Sequence, residues 1–106
     1  ERSHITLRRV TVSDAMAGAV VKDGSVLEVA ASTFRDIRLA SLMAYTKKPE
    51  YGAAALIASD LDFDGSSTHA RAQTGNRIVL DGVSLPTELI DVDMLYETLM
   101  ARGSAN

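Results

Sequence analysis

Apolar residues recur along this chain in blocks, and the blocks themselves repeat. Residues 5–12, 27–34, 56–63 and 78–85 each place an apolar or small residue at their first, third, sixth and eighth positions. The columns read Ile5, Leu27, Leu56, Ile78; then Leu7, Val29, Ala58, Leu80; then Val10, Ser32, Leu61, Val83; then Val12, Phe34, Phe63, Leu85. A spacing of two within each pair is the strand period, and the single break between the third and sixth positions marks a bend. The pattern therefore predicts two short strands joined by a bend, four times over. The blocks start 22, 29 and 22 residues apart, and the longer middle interval holds the polar insert Lys47-Lys48-Pro49-Glu50-Tyr51-Gly52-Ala53.

A third strand is expected in each interval, at residues 18–22, 40–44 and 69–73. In that register Ala19, Ser41 and Ala70, then Val21, Met43 and Ala72, face inward, while Val20 and Leu42 face out beneath Tyr45 and Tyr51. The turns Lys22-Asp23-Gly24-Ser25 and Gln73-Thr74-Gly75-Asn76 offer Gly where a positive φ is needed. Three strands and three bends in 22 residues leave no room for a crossover helix. The predicted fold class is all-β: a right-handed parallel β-helix of about three and a half coils over residues 5–85. Like residues then stack about 4.8 Å apart around one dry interior. The competing expectation is an α+β domain with residues 32–44 helical, because Ala, Arg, Leu and Met favour helix.

The two ends read differently. Leu89, Val92, Leu95, Tyr96, Leu99 and Met100 recur with helical spacing, which predicts a capping helix over residues 87–101. Thr87 or Asp91 is placed to cap its start and Gly103 to end it. Such a helix is expected to lie over the last coil and cover its open edge. At the other end Glu1-Arg2-Ser3-His4 is too short to cover the Ile5, Leu7, Val10, Val12 layer. The expected partner of that edge is a set of coils preceding Glu1 in a longer protein, or a second subunit.

Composition narrows the function classes. The chain has 106 residues, one domain's worth, with 46 % hydrophobic residues. Its 11 Lys+Arg against 14 Asp+Glu leave a charge of −3, which gives no general attraction to nucleic acid or anionic lipid. No apolar run is long enough for membrane insertion. The absence of Cys excludes disulfides, Cys-ligated zinc and thiol catalysis. No motif calls for a cofactor.

Candidate chemistry is sparse, and no catalytic residue is assigned. Asp60-Leu61-Asp62-Phe63-Asp64-Gly65 matches the start of a calcium loop, making Asp60, Asp62 and Asp64 a candidate acidic or metal cluster. The twelfth position of that loop, where a bidentate Glu is required, is Arg71, and the core register turns Asp60 and Asp62 to solvent. Asp14 and Asp36 fall at equivalent bends, a candidate carboxylate pair or simply turn residues. Lys47, Lys48 and Tyr51 in the insert form a candidate ligand-binding loop for a sugar or an acidic group. His4 and His69 fall in different columns and imply no triad.

The runs Val21-Lys22-Asp23-Gly24-Ser25, Ser32-Thr33-Phe34 and Ala44-Tyr45-Thr46-Lys47-Lys48-Pro49-Glu50-Tyr51-Gly52, with Gln73 and Gly75, resemble right-handed β-helix domains of large bacterial cell-surface proteins. These domains are of the pectate-lyase-like kind, and some accompany kinase modules similar to spore-coat protein H. The resemblance covers residues 5–85 and implies an extracellular or cell-envelope setting. No kinase motif is present in this chain. Two functions follow as expectations: a non-catalytic structural or binding module at the end of a surface β-helix, or a polysaccharide lyase or glycoside hydrolase. Polysaccharide is the ligand class implied in either case.

Overall fold

A computed structural model describes residues 3–65 and 69–104. Glu1 and Arg2 of the short N-terminal stretch lie outside the described residues. The chain is all-β with one C-terminal helix. Its strands are β1 (His4–Arg8), β2 (Thr11–Lys22), β3 (Val26–Tyr45), β4 (Ala55–Asp64), β5 (Ala70–Ala72), β6 (Arg77–Leu80) and β7 (Val83–Ser84), followed by α1 (Val92–Ser104). A 3-10 turn, Pro49–Tyr51, lies in the insert. Residues 32–44 are extended within β3, so the helical alternative is set aside.

The sheet is parallel until its last pair. β1 and β2 both pair with β3, β3 with β4 and β5, and β4 with β6. The partners are the aligned positions: Ile5 with Leu27, Leu27 with Leu56, and Leu56 with Ile78. Phe34 likewise lies between Val12 and Phe63. Leu27, Val29, Phe34, Leu56 and Ile78 are buried in one core, and each large side chain withdrawn from water stabilises it by about 1.5–3 kcal/mol.

The bends have a common backbone solution. Arg9, Ala31 and Asp60 adopt φ of 55°, 52° and 54° at the first bend, and Asp14, Asp36 and Gly65 adopt 57°, 56° and 72° at the second. The left-handed region costs an ordinary L-residue about 1–2 kcal/mol and is visited most readily by Gly, Asn and Asp, which explains the acidic bends. Stacking left-handed residues on one another lets neighbouring strands turn together.

Three expectations need correction. The register of β2 on β3 slips by one between Ala15 and Ala17, so Ala19 pairs with Leu42 and Val21 with Ala44. Leu42 and Ala44 therefore join the core with Ala19 and Val21, in place of the expected Ser41 and Met43. Leu42 is interior rather than outward, and Met43 takes the outer face. Gly18 sits at this irregularity because a Cβ there would come within 2.4 Å of the Phe34 ring and 2.5 Å of the Ser41 carbonyl oxygen.

The second correction concerns the fourth block. After β6 the chain reverses through Asp81 and Gly82, whose φ values of 50° and 82° suit a two-residue hairpin. Val83 pairs antiparallel with Leu80 and is 61 % exposed, so it does not stack on Leu61. The Leu85 N–H donates to the Ile78 carbonyl at 2.9 Å. Farther on, the Glu88 N–H donates to the Ala72 carbonyl and the Thr74 N–H to the Glu88 carbonyl, each at 2.9 Å. Chain reversal thus covers the last strand edge.

The third correction is the helix. It opens at Val92, later than expected, with Asp91 rather than Thr87 as its cap: the Met94 N–H donates to Asp91 Oδ1 at 3.1 Å. Its Leu95 packs on Ala40, Met43 and Tyr45, so α1 lies against the side of the sheet and not over its end. That position explains why Met43 is buried while facing outward.

Candidate functional site

The polar turn that leads from β2 to β3 organises a concave polar surface. Asp23 takes a left-handed φ of 51° and is buried at 5 % exposure. Its Oδ1 accepts the backbone N–H groups of Lys47 and Lys48 at 2.7 and 2.8 Å, which pins the insert against the turn. Pro49 and Gly52 then close the loop, with the Gly52 N–H donating to the Pro49 carbonyl. The result is a 450 Å³ cavity lined by Ser3, Lys22, Asp23, Ser25, Lys48 and Tyr51.

The candidate loop residues are thereby divided. Lys48 and Tyr51 reach the cavity, where Lys22, Ser3 and Ser25 join them. Lys47 turns away: its Nζ lies 4.0 Å from the centroid of the Tyr96 ring and 3.8 Å from Asp93, tying α1 to the insert. Lys22 also approaches Tyr96, at 5.7 Å from the ring centroid. Beneath them, burial first and then the nearby Asp23 and Tyr96 push the Tyr45 phenol above its ordinary value, so it stays neutral. Lys22 and Ser25 were visible in the sequence only as turn residues. Two ammonium groups, hydroxyls and one aromatic ring suit an anionic or hydroxyl-rich ligand.

The acidic residues do not form a second site. Asp60 is at a bend, and its N–H donates to Asp81 Oδ1 at 3.0 Å. Asp62 is exposed, and Asp64 lies 3.4 Å from Arg35 on the neighbouring strand. Among the described residues no three His, Asp or Glu side chains are grouped as metal ligands would be. Arg71, at the place a calcium loop needs an acid, pairs with Glu88 at 2.9 Å, and this hydrogen bond holds the Glu88 carboxyl below its ordinary value. Asp14 lies 3.8 Å from Arg38, whose Nη2 also donates to the Asp14 carbonyl at 3.3 Å. Asp36 instead leans over Gly65, where a Cβ would come within 2.4 Å of its Oδ1.

The two histidines act separately. His4 contacts Glu28 across the first strand pair. His69 stacks on Phe63 with centroids 4.3 Å apart, and Phe63 stacks on Phe34 at 6.0 Å. The imidazole thus covers one face of the Phe63 ring.

Fold and site together define an all-β chain, parallel through most of its sheet, with a small polar cavity at one corner and a lateral helix. No family model matches the sequence, and neither a curated protein nor a solved structure matches it. No helix of the described residues is long and apolar enough to cross a membrane.

Proposed function

We propose that this chain is the terminating segment of a right-handed parallel β-helix, a non-catalytic structural module of a bacterial surface protein. The observation that carries the reading is the reversal at Asp81 and Gly82. Parallel pairing proceeds from β1 through β3 and β4 to β6, and there the chain folds back to pair antiparallel with itself. A solenoid needs such an ending, because a bare last strand templates further pairing. Right-handedness is supported by the strong preference of parallel connections within one sheet. The resemblance to bacterial surface β-helices supports an extracellular or cell-envelope setting.

The test is to open that end. Gly82→Val forces a β-branched residue into the left-handed region, and Glu88→Pro removes the N–H that serves the Ala72 carbonyl. The double variant is expected to keep its strand signal in circular dichroism and to associate beyond the native size in sedimentation velocity. A folded double variant with the native sedimentation profile contradicts the reading.

The cavity supports a second, compatible role, contact with an acidic polysaccharide through Lys22, Lys48 and Tyr51. The enzymatic alternative receives no such support: Asp14 and Asp64 face Arg38 and Arg35, and Asp60 and Asp36 serve bends.

A further inference from the structure

We infer that the edge formed by β1 and β2 is a docking surface for one kind of partner, a parallel rung of this chain's own 22-residue pattern that leads into Ser3. The inference rests on the terminating-segment reading and names what meets its opposite end. β1 and β2 have β3 on one side and no strand among the described residues on the other. Among the described residues the outward-facing ladder groups of β1 and β2 therefore have no strand to pair with, a template for strand addition.

Four features select the occupant. Residues 15–21, Ala-Met-Ala-Gly-Ala-Val-Val, carry neither charge nor Pro, the usual guards of an exposed edge. The inward layer is uncovered at its first position, where Ile5 is 53 % exposed against 5 % for its partner Leu27, and half-covered at Leu7, Val10 and Val12, while Ala19 and Val21 are buried. The edge bends twice, at Arg9 and Asp14, in column with Ala31 and Asp36. A straight strand cannot follow both corners, and only a segment with left-handed residues over Arg9 and Asp14 can. Last, Ser25 Oγ accepts the Ser3 N–H at 3.2 Å, from a residue 22 positions earlier. Ser3 holds the place in the first rung that Ser25 holds in the second, so its hydroxyl is positioned to accept the same bond from a preceding rung.

The required partner has aliphatic residues over Ile5, Leu7, Val10 and Val12, and residues that take a left-handed φ over the two bends, as Arg9 and Asp14 themselves do. It continues the ladder already formed between β1 and β3. The probe is the full chain extended by a second copy of residues 3–24 placed directly before Ser3, followed by amide hydrogen exchange. The expected result is that amides of β1 and β2 facing the open side exchange at least about tenfold more slowly than in the native chain. A control extension carrying Pro at the copies of Leu7 and Val12 should leave them fast. Unchanged exchange in β1 and β2, with β3 and β4 still protected, overturns the inference. So does prior protection of these amides in the native chain together with a doubled mass, which would make a second copy the occupant. The Leu85 and Glu88 amides, read in the same spectra, report on the closed end separately: their rapid exchange would sink the terminating-segment reading, not the docking edge.

Discussion

Ile5 and Ile78 stand in one column at opposite ends of the sheet, yet Ile5 is 53 % exposed and Ile78 fully buried. The difference comes from what the chain does beyond each residue. Past Ile78 it turns through Asp81 and Gly82, donates the Leu85 N–H to Ile78 itself, and folds Leu85 onto the core. Before Ile5, His4 contacts Glu28, and among the described residues no strand lies on the outer side of β1. Ile78 is thus covered by the chain's own reversal, and among the described residues no strand covers Ile5 in the same way. Equal sequence pattern therefore does not mean equal energetic weight.

Truncating the two isoleucines measures that inequality. Ile78→Ala removes a fully buried side chain and is expected to destabilise the chain by about 2–5 kcal/mol. Ile5→Ala should cost under about 1 kcal/mol, since much of that side chain already meets water. Urea denaturation of both variants checks the pair, and equal losses would break the comparison.

The corner side chains give a smaller contrast. Asn76 Oδ1 accepts the Ala54 N–H at 2.7 Å and the Thr46 hydroxyl at 2.8 Å, while its Nδ2 donates to the Gln73 carbonyl and side chain. Asn76→Ala strands a buried N–H and is expected to cost about 1–3 kcal/mol. Ser25→Ala loses the bond from the exposed Ser3 N–H and should cost at most about 1 kcal/mol. Thermal melts of the two variants rank them, and a larger loss for Ser25→Ala would place the tighter corner at the open end.

Much of this was legible in the residues. The column of Ile5, Leu27, Leu56 and Ile78 and the polar insert follow from period-two patterning, because one buried face dictates register. The slip near Ala15 and Ala17 was hidden: β3 takes three residues from Ile37 to Ala40 where β2 takes two, and either alternation in β3, Leu39-Ser41-Met43 or Ala40-Leu42-Ala44, offers apolar or small side chains to the core. The reversal carried a local signal, an Asp-Gly pair flanked by apolar residues. The longer-range alignment of Val83 and Leu85 with Leu61 and Phe63 pointed the other way, and the local turn prevailed. The position of α1 depends on which face Met43 and Tyr45 take, which follows from the slip. The cavity joined Lys22 to Lys48 and Tyr51 through the buried Asp23 carboxylate, a contact across the insert that spacing does not reveal.

Amide hydrogen exchange of the unaltered chain tests the asymmetry of the two ends most directly. The account predicts the slowest exchange at Leu56, Ile57 and Ala58, which have strands on both sides, and protection of Leu85 and Glu88 at the closed end. It predicts exchange at least about tenfold faster along the free side of β1 and β2. Equal protection at the two ends, or protection of His4–Arg8 above that of β4, would contradict it.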